Sequence, residues 1–181
     1  MEPKNKTKLI LSIMNVLFWI AFIGLCIQTG TILFSFLIGM MGNQAVTESL
    51  YLKLDLTALY KLGLFHYLNI GLILVIITGL KSYIAYFAIK ISAKLNLEQP
   101  FNEAAYRLIS KISYFILIIG ILQVCAQSYY EGLMREGFVL NQLSSYFTDG
   151  DEMIFSAGVV FIIAQVFKRG LEIQSENELT I

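Results

Sequence analysis

Few residues in this chain could do chemistry: one histidine, His66; two cysteines, Cys26 and Cys125; an acidic run at Asp149, Asp151 and Glu152; and one lysine, Lys81, set against long apolar stretches. His66 could serve as a proton-responsive group or a metal ligand. The residues three and four positions on are Asn69 and Ile70, however, so a metal would need ligands from elsewhere in the chain. A structural or interfacial role is the expectation for it. Both cysteines stand inside apolar runs, where a disulfide would need two helices to meet at one depth in an oxidising compartment. They read as free, buried thiols. The acidic run flanks Gly150 and is expected to form a solvated turn rather than a calcium site. No H-E-x-x-H, G-x-S-x-G or P-loop is present, so the chain shows no catalytic machinery. The expectation is a protein that is not an enzyme, with no cofactor and no metal.

The elements that must hold these residues follow from composition. Of the 181 residues, 57% are hydrophobic and 14% charged, against roughly 25% charged in a soluble domain. The shortfall points to lipid, and the charges that remain are unevenly spread. No charge occurs from Leu9 to Thr47, from Leu62 to Leu80, from Ile112 to Tyr130 or from Met153 to Phe167. A bilayer core takes about 20 helical residues. These runs predict four spans at about 9–29, 62–82, 112–130 and 151–168. The stretch Gly30 to Gly42 either extends span one on a tilt or lies at the outer interface. Lys4, Lys6 and Lys8 before an apolar run also describe a signal peptide, but no small-x-small site follows and Leu25, not a small residue, precedes Cys26. Span one is expected to be retained as an anchor.

Past Lys81, the residues Tyr83, Ile84, Tyr86, Phe87 and Ile89 alternate with Lys90 and Lys94, as in a helix leaving the membrane and lying partly along its surface. Lys81 itself has two readings. Either the helix exits there and the lysine marks the boundary, or the helix runs straight and the charge is buried, where it would bind an anionic lipid or ligand. In Gln99-Pro100-Phe101-Asn102-Glu103, proline cannot continue a helix, Asn102 is placed to cap the next one and Glu103 falls in its first turn. Of the 13 basic residues, Lys4, Lys6, Lys8, Lys81, Lys90, Lys94, Arg107, Lys111, Lys168 and Arg169 share one side of this layout, while Lys53, Lys61 and Arg135 take the other. Positive loops stay in the cytoplasm. The expected fold is therefore an all-α integral membrane four-helix bundle, N-in and C-in, with cytoplasmic helical extensions of spans two and three, a cytoplasmic connection at 83–111 and a cytoplasmic tail at 169–181.

Asn15, Gln28, Asn69, Gln123, Gln127 and Gln165 are the uncharged polar residues inside the spans. Amides in hydrocarbon hydrogen-bond between helices and specify packing; strung together through Gln28, Asn69, Gln123 and Gln127 they would instead line a path, as in a small transporter, channel or lipid-binding bundle. Packing is the expected role, since ion pathways generally need an ionisable group.

Two segments resemble a bacterial membrane family catalogued as domain of unknown function 2975. Gln99-Pro100-Phe101-Asn102-Glu103, leading through Arg107, Ile109, Lys111 and Ile112, is similar to the family's Asn-Pro-Phe-Thr-x-Glu-Asn break, from which Gln99, Asn102 and Ala105 depart. The end of the chain, Ala164-Gln-Val-Phe167-Lys-Arg-Gly170 and on to Leu179-Thr-Ile181, is similar to the family's phenylalanine-basic-x-glycine, its acidic stretch and its Leu-Thr-Val/Ile terminus. The resemblance implies four spans and a protein whose gene often stands beside a small helix-turn-helix regulator. On that basis the partners expected are the lipid bilayer and a cytoplasmic DNA-binding regulator, without direct contact to nucleic acid. The surface expected to meet the regulator comprises Gln99, Pro100, Phe101, Phe167, Gly170, Glu172, Glu176, Glu178, Leu179 and Ile181. An acidic segment could mask a basic DNA-binding face; the same residues could also simply cap the bundle.

Overall fold

The computed structural model describes residues 3–41, 48–49, 54–55, 63–94, 101–136 and 144–178. Four long helices carry the structure: α1 (Pro3–Met40), α2 (Leu64–Lys94), α3 (Glu103–Arg135) and α4 (Gly150–Glu178). All four contain segments long and apolar enough to cross a membrane. Between α1 and α2 a two-residue ladder pairs β1 (Glu48–Ser49) with β2 (Leu54–Asp55), Glu48 opposite Asp55. A single 3₁₀ turn, Ser144–Tyr146, precedes α4.

The helix ends follow local rules. Pro3 opens α1, where a missing N–H costs nothing. Gly63 precedes α2 at φ +136°, a backbone setting that side chains rarely adopt. Asn102 caps α3 as expected: its side chain accepts from the Ala105 N–H at 2.8 Å, and Glu103 in the first turn pairs with Arg107. Asp151 and Glu152 stand in the first turn of α4, where the helix dipole favours negative charge.

Three segments become definite. Of the two readings left for the stretch after Thr29, the helical one fits, since α1 continues as helix to Met40. Beyond Lys81, α2 does not turn away along a surface but stays against α1 as far as Ser92, whose hydroxyl donates to the Leu11 carbonyl at 3.4 Å. The segment after residue 168 carries α4 on to Glu178. Both cysteines are free, but exposed on their helices rather than buried.

Packing is serial. α1 lies on α2, α2 on α3 and α3 on α4, and no other pair of these helices packs extensively among the described residues. The four helices thus form an open series in which, among the described residues, α1 and α4 do not cover one another. Tyr67 of α2 stacks on Phe36 at 5.4 Å and donates its hydroxyl to the Phe36 carbonyl at 2.8 Å, while Gly71 leaves room for the Phe36 ring. Further along, Thr29 meets Ser82 at 3.1 Å and Phe22 meets Tyr86. α2 and α3 meet through Tyr83 and Phe87 on Phe115 and through His66 Nδ1 and the Tyr129 hydroxyl at 2.7 Å. The fully buried core, including Ile32, Ile70, Leu74, Ile77, Ile119 and Phe147, lies toward the Tyr129 end. Elsewhere large apolar side chains face outward, Ile20 at 63% and Phe155 at 75% exposure. Such faces suit lipid and would be untenable in water.

α3 and α4 approach most closely where Gly120 faces Gly150. A Cβ on Gly120 would stand 2.9 Å from the Ile154 backbone nitrogen and 3.0 Å from the Gly150 carbonyl. The start of α4 therefore sits halfway along α3, not at its end. Replacing Gly120 with alanine is expected to lower stability by about 1–3 kcal/mol, the usual range for overpacking. Gly132, which has nothing within 4 Å of its added carbon, serves as the control, and alanine there should leave stability level or raise it by roughly 0.5–1 kcal/mol. Thermal unfolding of the two variants in one detergent checks both signs.

Candidate functional site

The break before α3 and the end of α4 are far apart in sequence, and the fold brings them together. Asn102 fixes the direction in which α3 begins, which leaves Phe101 just outside the first turn. α4 runs antiparallel to α3, so its last turns reach that level. Phe101 packs edge-on to Phe167 with ring centroids 5.4 Å apart. It also lies flat against Gly170: a Cβ at that glycine would fall 2.6 Å from Phe101 Cδ1 and 2.8 Å from its Cγ. Glycine is needed here because nothing larger lets the ring reach the helix backbone. One helical turn separates Phe167 from Gly170, so the two form a single seat for the ring.

Beside this joint a groove of about 590 Å³ is lined by Phe101, Val166, Arg169, Gly170, Ile173 and Gln174. Its walls are mainly apolar, with one cation at the rim. Arg169 donates to Glu172 Oε2 at 2.9 Å. That hydrogen bond, then the charges of Glu172 and Glu176, hold the guanidinium above its ordinary pKa, with burial opposing weakly. The charge of Arg169 is thereby directed toward the acidic side of the helix. Ile173 stands 47% exposed beyond the last apolar run.

Of the residues expected at a partner surface, Phe101, Phe167 and Gly170 are in contact, and Glu172 and Glu176 follow on the same helical extension. Gln99, Pro100, Leu179 and Ile181 lie outside the described residues, as does the side chain of Glu178. Arg169, Val166 and Ile173 were not singled out from sequence. Val166 and Ile173, one turn before and after Gly170, and Arg169 beside it could have been found from that spacing, had the helix been known to continue.

The other candidates are dispersed. His66 bonds Tyr129 at the opposite end of the helices, and the acidic turn of α4 faces the middle of α3. Among the described residues no three His, Cys, Asp or Glu side chains gather as a metal site. The amides do not form a chain: Asn69 donates to its own Phe65 carbonyl, Gln123 to the Tyr146 carbonyl at 3.0 Å and Gln127 to Glu131.

Four long apolar helices packed in series, without a gathered set of ionisable side chains among the described residues, define the class as a multi-span helical protein of the membrane type. The family model described as "Protein of unknown function (DUF2975)" matches residues 63–181, and the chain belongs to that family. Comparison with curated proteins and with solved structures gave no match. The matched region contains α2, α3, α4 and both sides of the Phe101 joint.

Replacing Phe101 with alanine should cost about 1–2 kcal/mol of local stability, since its ring is half-buried and a fully buried one is worth more. Hydrogen exchange should show faster opening of residues 167–178 in that variant, with α1 unchanged.

Proposed function

We propose that this chain is a non-enzymatic regulatory protein of the bacterial cytoplasmic membrane, with both termini inside, that engages a cytoplasmic DNA-binding regulator through the Phe101 joint and the helical end of α4. The observation that carries the reading is the meeting of the family's two distinctive segments at one place. Residues selected for packing alone would be satisfied by the ring on the glycine. Here the contact is accompanied by an apolar groove, an exposed Ile173 and a run of glutamates projecting past the last apolar stretch.

Charge supports the orientation. The end that carries Lys8, Lys90, Lys111 and Lys168 also carries the joint, and positive segments favour the cytoplasm. Glu172 and Glu176 would approach a basic DNA-binding surface with complementary charge, which steers association and competes with DNA phosphates. The family's gene neighbourhood, as the resemblance implies it, supplies a partner of that kind. A transport reading would need the amides to be joined, and no observation favours it.

Removal of residues 168–181 is expected to abolish recovery of a small DNA-binding protein with the tagged chain from its native membranes after mild crosslinking, while membrane insertion is retained. Recovery unchanged by the truncation would remove the role given to α4's end. The Ile173→Glu variant should weaken recovery by a factor of about 10 or more, as expected for loss of one apolar anchor, without disturbing the joint.

A further inference from the structure

On one side of their contact, α3 and α4 leave a groove of about 360 Å³ between them, lined by Tyr114 and Leu117 of α3 and by Ile154, Ala157, Gly158 and Phe161 of α4. Ligand pockets range from about 300 to 1,000 Å³. These residues all belong to the uncharged runs 112–130 and 153–167, so the hollow lies within the apolar layer. In a bilayer its surroundings are lipid chains.

The groove is made by absence of side chain. A carbon added to Gly158 would have nothing within 4 Å, whereas just past Ile154 the helices close again, where Gly120 meets the Ile154 backbone and the Gly150 carbonyl. The hollow is therefore shut toward Gly120. It runs the other way, over the roughly 10 Å that seven helical residues from Ile154 to Phe161 cover, to the Tyr114 and Phe161 rings, whose centroids are 6.4 Å apart. Ser113, which also lines it, is buried and donates its hydroxyl to the Ser110 carbonyl at 3.0 Å. The walls thus suit a hydrocarbon chain and offer little to a polar ligand.

Charge stands only beyond the open end. Lys111 lies one turn before Tyr114, and Lys168 continues the face of α4 that carries Ile154 and Phe161, at steps of seven residues. Both lysines are exposed and, among the described residues, neither is in an ion pair, while Arg107 and Arg169 are engaged by Glu103 and Glu172. An apolar groove with unpaired lysines past its mouth complements a molecule with a long apolar chain and an anionic head.

We propose that this groove holds an acyl chain of an anionic phospholipid, whose headgroup faces Lys111 and Lys168. The groove shares no residue with the one beside Phe101. Its failure would leave the regulatory reading intact.

The test places the full chain in nanodiscs of equal phosphatidylglycerol and phosphatidylcholine, and native mass spectrometry reads which lipid stays bound. The wild type is expected to retain a phosphatidylglycerol, favoured by about fivefold, roughly the factor that one lysine supplies at a bilayer surface. Gly158→Leu has open space for its Cβ and should abolish retention by filling the hollow; Gly132→Leu, at an equally open glycine outside the groove, should behave as wild type. Lys111→Gln combined with Lys168→Gln alters exposed positions alone and should keep a bound lipid while losing the preference. Should Gly158→Leu fail to assemble, this lysine variant decides by itself. No retained lipid in the wild type, retention without preference, equal retention in Gly158→Leu, or a preference that survives the double lysine change would each overturn the proposal.

Discussion

Apolar helices surrounded by lipid gain little from burying more apolar surface, so their association rests on close packing and on a few interhelical hydrogen bonds. That constraint explains where the glycines act in this fold. Gly71 admits Phe36 between α1 and α2, Gly120 and Gly150 bring the backbones of α3 and α4 together, and Gly170 seats Phe101. The side-chain hydrogen bonds between elements that accompany them include Tyr67 to the Phe36 carbonyl, Thr29 with Ser82, Ser92 to the Leu11 carbonyl, His66 with Tyr129 and Gln123 to the Tyr146 carbonyl. Blocking any one of these approaches would loosen the packing of that helix pair.

The serial arrangement follows from the same constraint. Among the described helices, α1 packs extensively on α2 alone and α4 on α3 alone, and both leave apolar faces outward that lipid or another apolar surface could cover. Because the close approach of Gly120 and Gly150 places the start of α4 halfway along α3, the far end of α4 overshoots the start of α3 by several turns. That offset carries Glu172 and Glu176 past the Phe101 joint. One steric requirement in the apolar layer thus determines how much of α4 projects beyond the last apolar run.

Local features were legible in the sequence and long-range ones were not. Asn102 as a cap needs only its own residue type and the three that follow, and it holds at 2.8 Å. The four spans were legible because uncharged runs of that length have one physical explanation. Whether the first helix continues past Thr29 was left open between two readings, because composition alone does not place its end; with nothing within 4 Å of a carbon added at Gly30, that glycine does not interrupt the helix. The cysteines were read as buried because an apolar run does not distinguish a face toward lipid from a face toward protein. Phe101, Phe167 and Gly170 were each marked by motif, but their contact depends on the register of α3 and α4. That register is set by the glycine approach some 20 residues away, which no local pattern encodes.

The measurement that tests the account most directly is thiol crosslinking across the joint in native membranes. With Cys26 and Cys125 replaced, Phe101→Cys and Gly170→Cys are combined in one chain and treated with a short, membrane-impermeant bifunctional reagent. The account predicts an intramolecular crosslink in inside-out vesicles and none in intact cells. A crosslink formed from outside intact cells, or none from either side, would contradict it.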